Sequence, residues 1–200
     1  MNFQSEYRSV IRRVAQHEAG HYIISRALGF AVGEISLTMT DLHGGHEAGS
    51  TIVLAKPIRT LEETIQYLEH RIQILFAGAL SEALENGEID SARAQESLKA
   101  GGGARDFDKI RELMNLLRNL KAPDAHGEGE PQASLSAIDN DLYNRAAEAV
   151  IREKDLINGL AARITSEVKS LRQRVVIPKQ ELMALPTLVG RFGNAGTSEA

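Results

Sequence analysis

Over the first thirty positions the apolar residues Val10, Val14, Ile24 and Leu28 fall at helical intervals, and Gly29 supplies a stop, which predicts a long first helix over 5–28. The period then changes. Ile35, Leu37 and Met39 alternate with polar neighbours over 34–40, and 51–56 is a short apolar run ahead of Pro57, so both segments predict strands. The intervening 41–50, with three glycines and two histidines, reads as a mobile hairpin loop. Thr60, followed by Glu62 and Glu63, caps a second and central helix that Ile65, Leu68, Ile72, Leu75, Phe76, Ala79, Leu80 and Ala83 carry to Asn86-Gly87.

After the triple glycine Gly101-Gly102-Gly103, a third helix is predicted over 106–120 with Ile110, Leu113, Met114 and Leu117 on one face. The stretch 122–132, with two prolines, two glycines and three acids, reads as an exposed link. A long helix over 136–171, with a break expected at Asn158-Gly159, leads to an extended piece at 175–177, a helix start at Pro178, a last turn to Leu185 and a frayed tail. The pattern predicts a mainly α fold with a small two-stranded β element after the first helix. It divides into a first unit over 1–121, a flexible link over 122–135, a C-terminal helical region over 136–187 that packs on the first unit, and a disordered tail over 188–200.

Composition narrows the function classes. With 42% apolar and 25% charged residues the chain can build a globular core, and with 4% aromatics and no Trp that core is aliphatic and poor in platforms for stacking nucleic-acid bases. A net charge of -4 and a pI near 5.9 give no general attraction to a phosphate backbone or an anionic membrane, so neither nucleic acid nor membrane is expected as a partner. No run of apolar residues is long enough to span a bilayer, and Glu6, Arg8, Arg12 and Arg13 at the amino terminus do not form a signal peptide, so a cytoplasmic location is expected. No Gly-Lys pair occurs, which excludes a Walker A loop. No cysteine occurs either, so any metal must be held by His, Asp or Glu.

The residues for that chemistry are in the first helix. In His17-Glu18-Ala19-Gly20-His21 the two histidines are four apart and project from one face about one turn from each other, a spacing suited to one metal ion. Glu18 is rotated by roughly 100° from His17, so its carboxylate can flank a metal without ligating it and act as general base. The competing account makes the histidines ordinary polar positions and Glu18 a surface contact. Against it, Val14, His17, His21, Ile24 and Leu28 form one stripe that turns both imidazoles inward, where they would be costly to desolvate without a partner. Small Ala19 and Gly20 permit close packing around such a site.

The run Val14-Ala15-Gln16-His17-Glu18-Ala19-Gly20-His21 resembles the zinc-binding helix of the peptidase domain of FtsH-type AAA proteases. Other segments are similar in the same order: the strand pair, Phe76-Ala77-Gly78-Ala79-Leu80-Ser81-Glu82-Ala83-Leu84, Gly102-Gly103-Ala104-Arg105-Asp106-Phe107, and the terminal stretch 171–185. The resemblance implies a helical zinc-metallopeptidase domain in which Zn2+ is held by His17, His21 and Asp106, with Glu18 as catalytic base and Glu82 as a partner orienting a ligand histidine. Beside it stands the physical case that catalytic zinc takes three protein ligands and an open position, and that Asp106 opens a helix where backbone amides favour an anion. Taken alone, Asp106 also reads as a helix-cap aspartate with Asp108 as the substitute ligand, and Glu82 as an exposed helix charge.

Ala79 stands where the family has an arginine and Arg105 where it has an asparagine, so the surroundings of the ligands should differ from the family's. The family's AAA motor and membrane anchor have no counterpart in these residues. The expectation is of a stand-alone, ATP-independent peptidase whose substrates arrive unfolded, as short peptides or from a separate delivery partner, with self-association left open. His43 and His46 form a second His pair, but Gly44-Gly45 between them favours a flexible loop over a rigid metal site. His70 and His126 receive no role. The strand over 51–56 is either an ordinary buried strand or an edge to which an extended substrate adds. The competing functions are a non-peptidase zinc hydrolase, and a binding or regulatory module in which the metal is a structural pin.

Overall fold

The structure is a computed structural model that describes residues 5–124 and 130–193. Helix α1 (Ser5–Ala27) leads into a hairpin of β1 (Ala31–Met39) and β2 (His46–Val53), followed by α2 (Leu61–Glu82). A two-residue-per-strand hairpin, β3 (Leu84–Glu85) and β4 (Glu88–Ile89), precedes α3 (Ser91–Ala100) and α4 (Ala104–Lys121). Then come α5 (Glu130–Arg152), α6 (Lys154–Glu167), β5 (Val175–Ile177), α7 (Lys179–Met183) and α8 (Pro186–Phe192). The fold is mainly helical with small antiparallel sheets, as the pattern predicts.

α1 is the hub. Every residue from 14 to 25 is buried, because α2 and α6 pack on it from two sides and the β1–β2 hairpin from a third. Tyr22, Ile23 and Ile24 interdigitate there with a core that includes Ile72, Phe76, Leu80, Leu160 and Ile164. α2 carries α4 and α5 on its other flanks and so is central, as its uninterrupted apolar run predicts.

The contact between α1 and α2 depends on the absence of a side chain at Gly20. A Cβ there would lie 2.6 Å from both the Ala77 carbonyl oxygen and the Ser81 Cβ, well inside van der Waals contact. The two helix backbones therefore approach as closely as small residues allow.

Several boundaries differ from the sequence expectation, each for an identifiable reason. The β element has three strands in the order β2-β1-β5, because Val175–Ile177 pairs with Ile35–Leu37, a partnership between residues distant in sequence. The expected 41–50 loop shrinks to a turn, since Asp41 Oδ1 accepts from the His43 and Gly45 amides at 2.7 and 3.0 Å and His46 already begins β2. The expected second strand over 51–56 is accordingly replaced by His46–Val53.

Asn86 and Gly87, with φ of 52° and 85°, form the turn of the β3–β4 hairpin rather than a helix end. α3, absent from the sequence expectation, starts at Asp90, whose carboxylate accepts from the Ala92 and Arg93 amides. The long helix begins at Glu130 rather than at 136, and it breaks at Glu153 rather than at Asn158-Gly159. Gly159 lies within α6, and Asn158 instead accepts a hydrogen bond from Gln16 on α1.

The tail expected over 188–200 is helical to Phe192, held by buried Leu188 and by Arg191, which meets the buried Glu153 carboxylate at 2.7–3.2 Å. Residues 194–200 of that tail, residues 125–129 of the expected link and His126 with them lie outside the described residues.

Gly20→Ala tests the helix contact. Alanine gains about 1 kcal/mol of helix propensity, but forcing a methyl group against a carbonyl that cannot yield costs about 1–3 kcal/mol. The variant should have a lower urea midpoint than the wild-type chain with unchanged denaturant dependence; an equal or higher midpoint would show that the helices have room.

Candidate metal centre

The close approach of α1 and α2 places the imidazoles of His17 and His21 over Gly78, where a Cβ would lie 2.5 Å from His21 Nε2 and 2.7 Å from His17 Nε2. Only glycine leaves the rings this space. From the other side the first turn of α4 presents Asp106, whose Oδ2 is 3.1 Å from His17 Nε2 and 3.0 Å from His21 Nε2. The two Nε2 atoms are themselves 3.0 Å apart. Asp106 is not the helix cap, a place taken by Gly103, and Asp108 is exposed on the outer face of α4.

The outer ring nitrogens decide what the inner ones offer. His21 Nδ1 lies 2.8 Å from the Ile74 carbonyl oxygen, which can only accept, so Nδ1 carries the proton and Nε2 presents a lone pair. His17 Nδ1 likewise faces Glu82 Oε2 at 3.2 Å, and the Ser97 hydroxyl donates to the same carboxylate oxygen at 2.7 Å. With both histidines neutral, three electron-pair donors converge with no hydrogen between them, an arrangement that repels itself unless a proton or a metal cation lies among them.

Tetrahedral bonds of about 2.0–2.1 Å would set neighbouring donors about 3.3 Å apart, close to the spacings of 3.0–3.1 Å found here. The residues therefore fit a metal ion, and His17, His21 and Asp106 are the group that could hold it. Two imidazoles and one carboxylate, with no thiolate available, suit zinc.

In the metal-free state a proton takes the cation's place. Burial opposes a charged His17, but hydrogen bonds to Asp106 and Glu82 and the charge of Glu18 outweigh it, and the imidazole is pushed up to about 10. Burial alone would raise the Asp106 carboxyl, yet the two histidines hold it far below the usual carboxylate range. Glu82 is lowered in the same way, with His17 and Ser97 overcoming burial.

The trio lies in the wall of an open cleft of roughly 820 Å³. Glu18 lines the same cleft but stands apart from the trio; the Ser50 hydroxyl on β2 lies 2.7 Å from its main-chain oxygen and 3.0 Å from its Oε2. His46 also lines the cleft at the start of β2, its ring near Gly102 and its Nδ1 2.8 Å from the Gly44 carbonyl oxygen. His43 sits in the exposed turn, so the two are not brought together as a metal pair.

Several participants were not visible from the sequence. Ser50 falls in the expected loop, Ser97 on a helix signalled only by its Asp90 cap, and the Ile74 carbonyl carries no side-chain signal. Gly78 as the floor of the site was legible only as a glycine inside an otherwise strong helix pattern.

No protein-family model matches the chain. The chain is similar to the ATP-dependent zinc metalloprotease FtsH 1 of Sorangium cellulosum (strain So ce56), with 27% identity over 158 residues, covering 73% of this chain and 25% of that protein. It thus spans about a quarter of that relative's length. The similarity suggests an FtsH-like peptidase relationship, and the buried His-His-Asp group is consistent with a metallopeptidase.

Two measurements probe this centre. Zinc titration should give about one ion per chain, lost on His17→Ala or His21→Ala and strongly weakened by Asp106→Ala or Gly78→Ala, while Asp108→Ala changes nothing. Retention of zinc by both histidine variants would remove the assignment.

Zinc must also displace the proton held by His17. Chelator competition should therefore show affinity rising about tenfold per pH unit from 6.5 to 8.5, in the range where that proton is still bound. A flat profile would mean that the proton and the metal do not share the site.

Proposed function

We propose that the chain is a zinc-dependent metalloendopeptidase that hydrolyses peptide bonds in unfolded or flexible polypeptides, with Glu18 as general base. The observation that carries the reading is the convergence of three lone-pair donors in the wall of an open cleft, with a separate carboxylate beside them. A purely structural site would close its fourth position and would have no use for a neighbouring base.

Zinc bound by His17, His21 and Asp106 supplies Lewis acidity, which polarises a carbonyl and eases deprotonation of water. Glu18 accepts the proton of the attacking water on its carboxylate and returns it to the leaving amine nitrogen. Ser50 keeps that carboxylate aimed along the cleft, and Glu82 orients His17.

Strand β2 is the sheet edge beside the site and has no strand partner on its outer side among the described residues. An extended substrate added there would run past Glu18 with its backbone groups paired. Such pairing needs an open chain, so tightly folded proteins should resist cleavage.

With no Gly-Lys pair to build a phosphate loop, these residues act without ATP, on polypeptides that arrive unfolded or from a delivery partner. No helix of the described residues is long and apolar enough to cross a membrane. A cytoplasmic setting and self-association are parts of the proposal that fractionation and sedimentation would test.

The test is digestion of unfolded casein by zinc-loaded wild-type and Glu18→Gln protein. Zinc content and fold should be unchanged in the variant, whose amide cannot take the proton, and turnover should fall by about a hundredfold or more. Wild-type turnover in the variant would exclude Glu18 as base. A fully zinc-loaded wild-type chain that cuts no unfolded substrate would instead favour a binding module pinned by its metal.

A further inference from the structure

The cleft holds a cation that the hydrolytic chemistry does not use. Arg71 lies on α2 one turn before Ile74, whose carbonyl oxygen faces His21, and its side chain lines the cleft beside Ile52, Leu54 and Leu75. Its Nη1 is buried without a hydrogen-bond partner, and the side chain forms no ion pair among the described residues. A guanidinium has five donors in a planar fork that matches a carboxylate, and leaving the two on Nη1 dry and unpaired is costly.

The apolar neighbours do not explain it. The nearby acid, Asp106, is occupied by His17, His21 and Lys109.

The charge balance points the same way. Arg71, Arg105 and Lys109 line the cleft against Glu18, Glu47 and Asp106, so a divalent metal held by neutral histidines leaves it net positive. Arg105 and Lys109 extend from the exposed side of α4, where they raise the field without fixing a position. Arg71 is the half-buried member, one turn after Tyr67 on α2, whose hydroxyl donates to the Leu54 carbonyl oxygen at 3.1 Å.

We propose that Arg71 anchors a carboxylate of the substrate at the α2 end of the cleft, so that the preferred peptides carry an acidic side chain or a free C-terminal carboxylate close to the bond that is cut. The proposal rests on the peptidase reading for the word substrate, but the subsite itself is a binding property. It selects among unfolded chains by charge, with Ile52, Leu54 and Leu75 accommodating the apolar part of the same residue.

Four fluorescent peptides of one alanine- and leucine-based sequence distinguish the sources: an internal Glu or Gln, each with a free or an amidated C-terminus. Anisotropy with zinc-loaded Glu18→Gln protein reports binding, and wild-type protein reports cleavage. A carboxylate-bearing peptide should bind about tenfold or more tightly than its amide counterpart, the size of one charge-assisted pair. Arg71→Gln should abolish that difference while leaving the doubly neutral peptide unchanged, and Arg71→Lys should restore part of it.

Discrimination at the internal position identifies an acidic side chain as the anchor, and discrimination at the terminus identifies the chain end. Carboxylate-dependent binding without cleavage would leave the subsite standing and remove the peptidase reading. Equal binding and cleavage of all four peptides would do the reverse. Absence of any binding, or equal loss for all four peptides in Arg71→Gln protein with native circular dichroism, overturns the subsite.

Discussion

The near contact of α1 and α2 governs the rest of the molecule. Two glycines, Gly20 on α1 and Gly78 on α2, remove the side chains that would hold the backbones apart, and each faces the other helix at the site. At this separation the imidazoles of His17 and His21 lie in the groove over α2 rather than pointing away from it. The same approach brings Ile74 and Glu82 within reach of their outer nitrogens. A larger residue at either glycine would displace the two imidazoles together with the groups that orient them.

Around that contact the fold resolves an electrostatic conflict by arranging neighbours rather than by exposing the charges. Three lone-pair donors face one another, which no apolar core would tolerate, and the conflict is relieved by a proton or by a metal ion between them. Ser97 holds Glu82, Glu82 holds His17, and the Ile74 carbonyl holds His21, so the donors are held in place by the protein's own hydrogen bonds. Four helices contribute to this arrangement, which explains why α3, short and otherwise lightly buried, is retained beside the centre.

The open side of the centre is shaped by other elements. β2 supplies Ser50 against Glu18 and a sheet edge that is unpaired among the described residues, and its tip carries His46 toward the glycine-rich turn before α4. α2 adds Arg71 to the same lining, so the cleft presents a guanidinium, an imidazole and the Glu18 carboxylate together.

The helical character of the chain was legible in the sequence, because periodic apolar residues over 5–28, 65–83 and 106–120 specify buried faces wherever those helices pack. The sequence also determined the His17–His21 pair, since a four-residue interval on a helix fixes the common face of two side chains without reference to anything else. Asp106 and Glu82 were nominated through family resemblance, and neither position could be deduced from local spacing, as the distances to His17 are set by how α2 packs on α1 and α4 packs on α2. The relations between distant segments were settled by packing: β5 pairing with β1, α8 held to Glu153 by Arg191, Ser50 on Glu18, Ser97 behind Glu82, and an Arg71 Nη1 without a partner among the described residues. Each depends on contacts between residues far apart in the chain, and hydrophobic periodicity specifies which face of an element is buried but not which other element covers it.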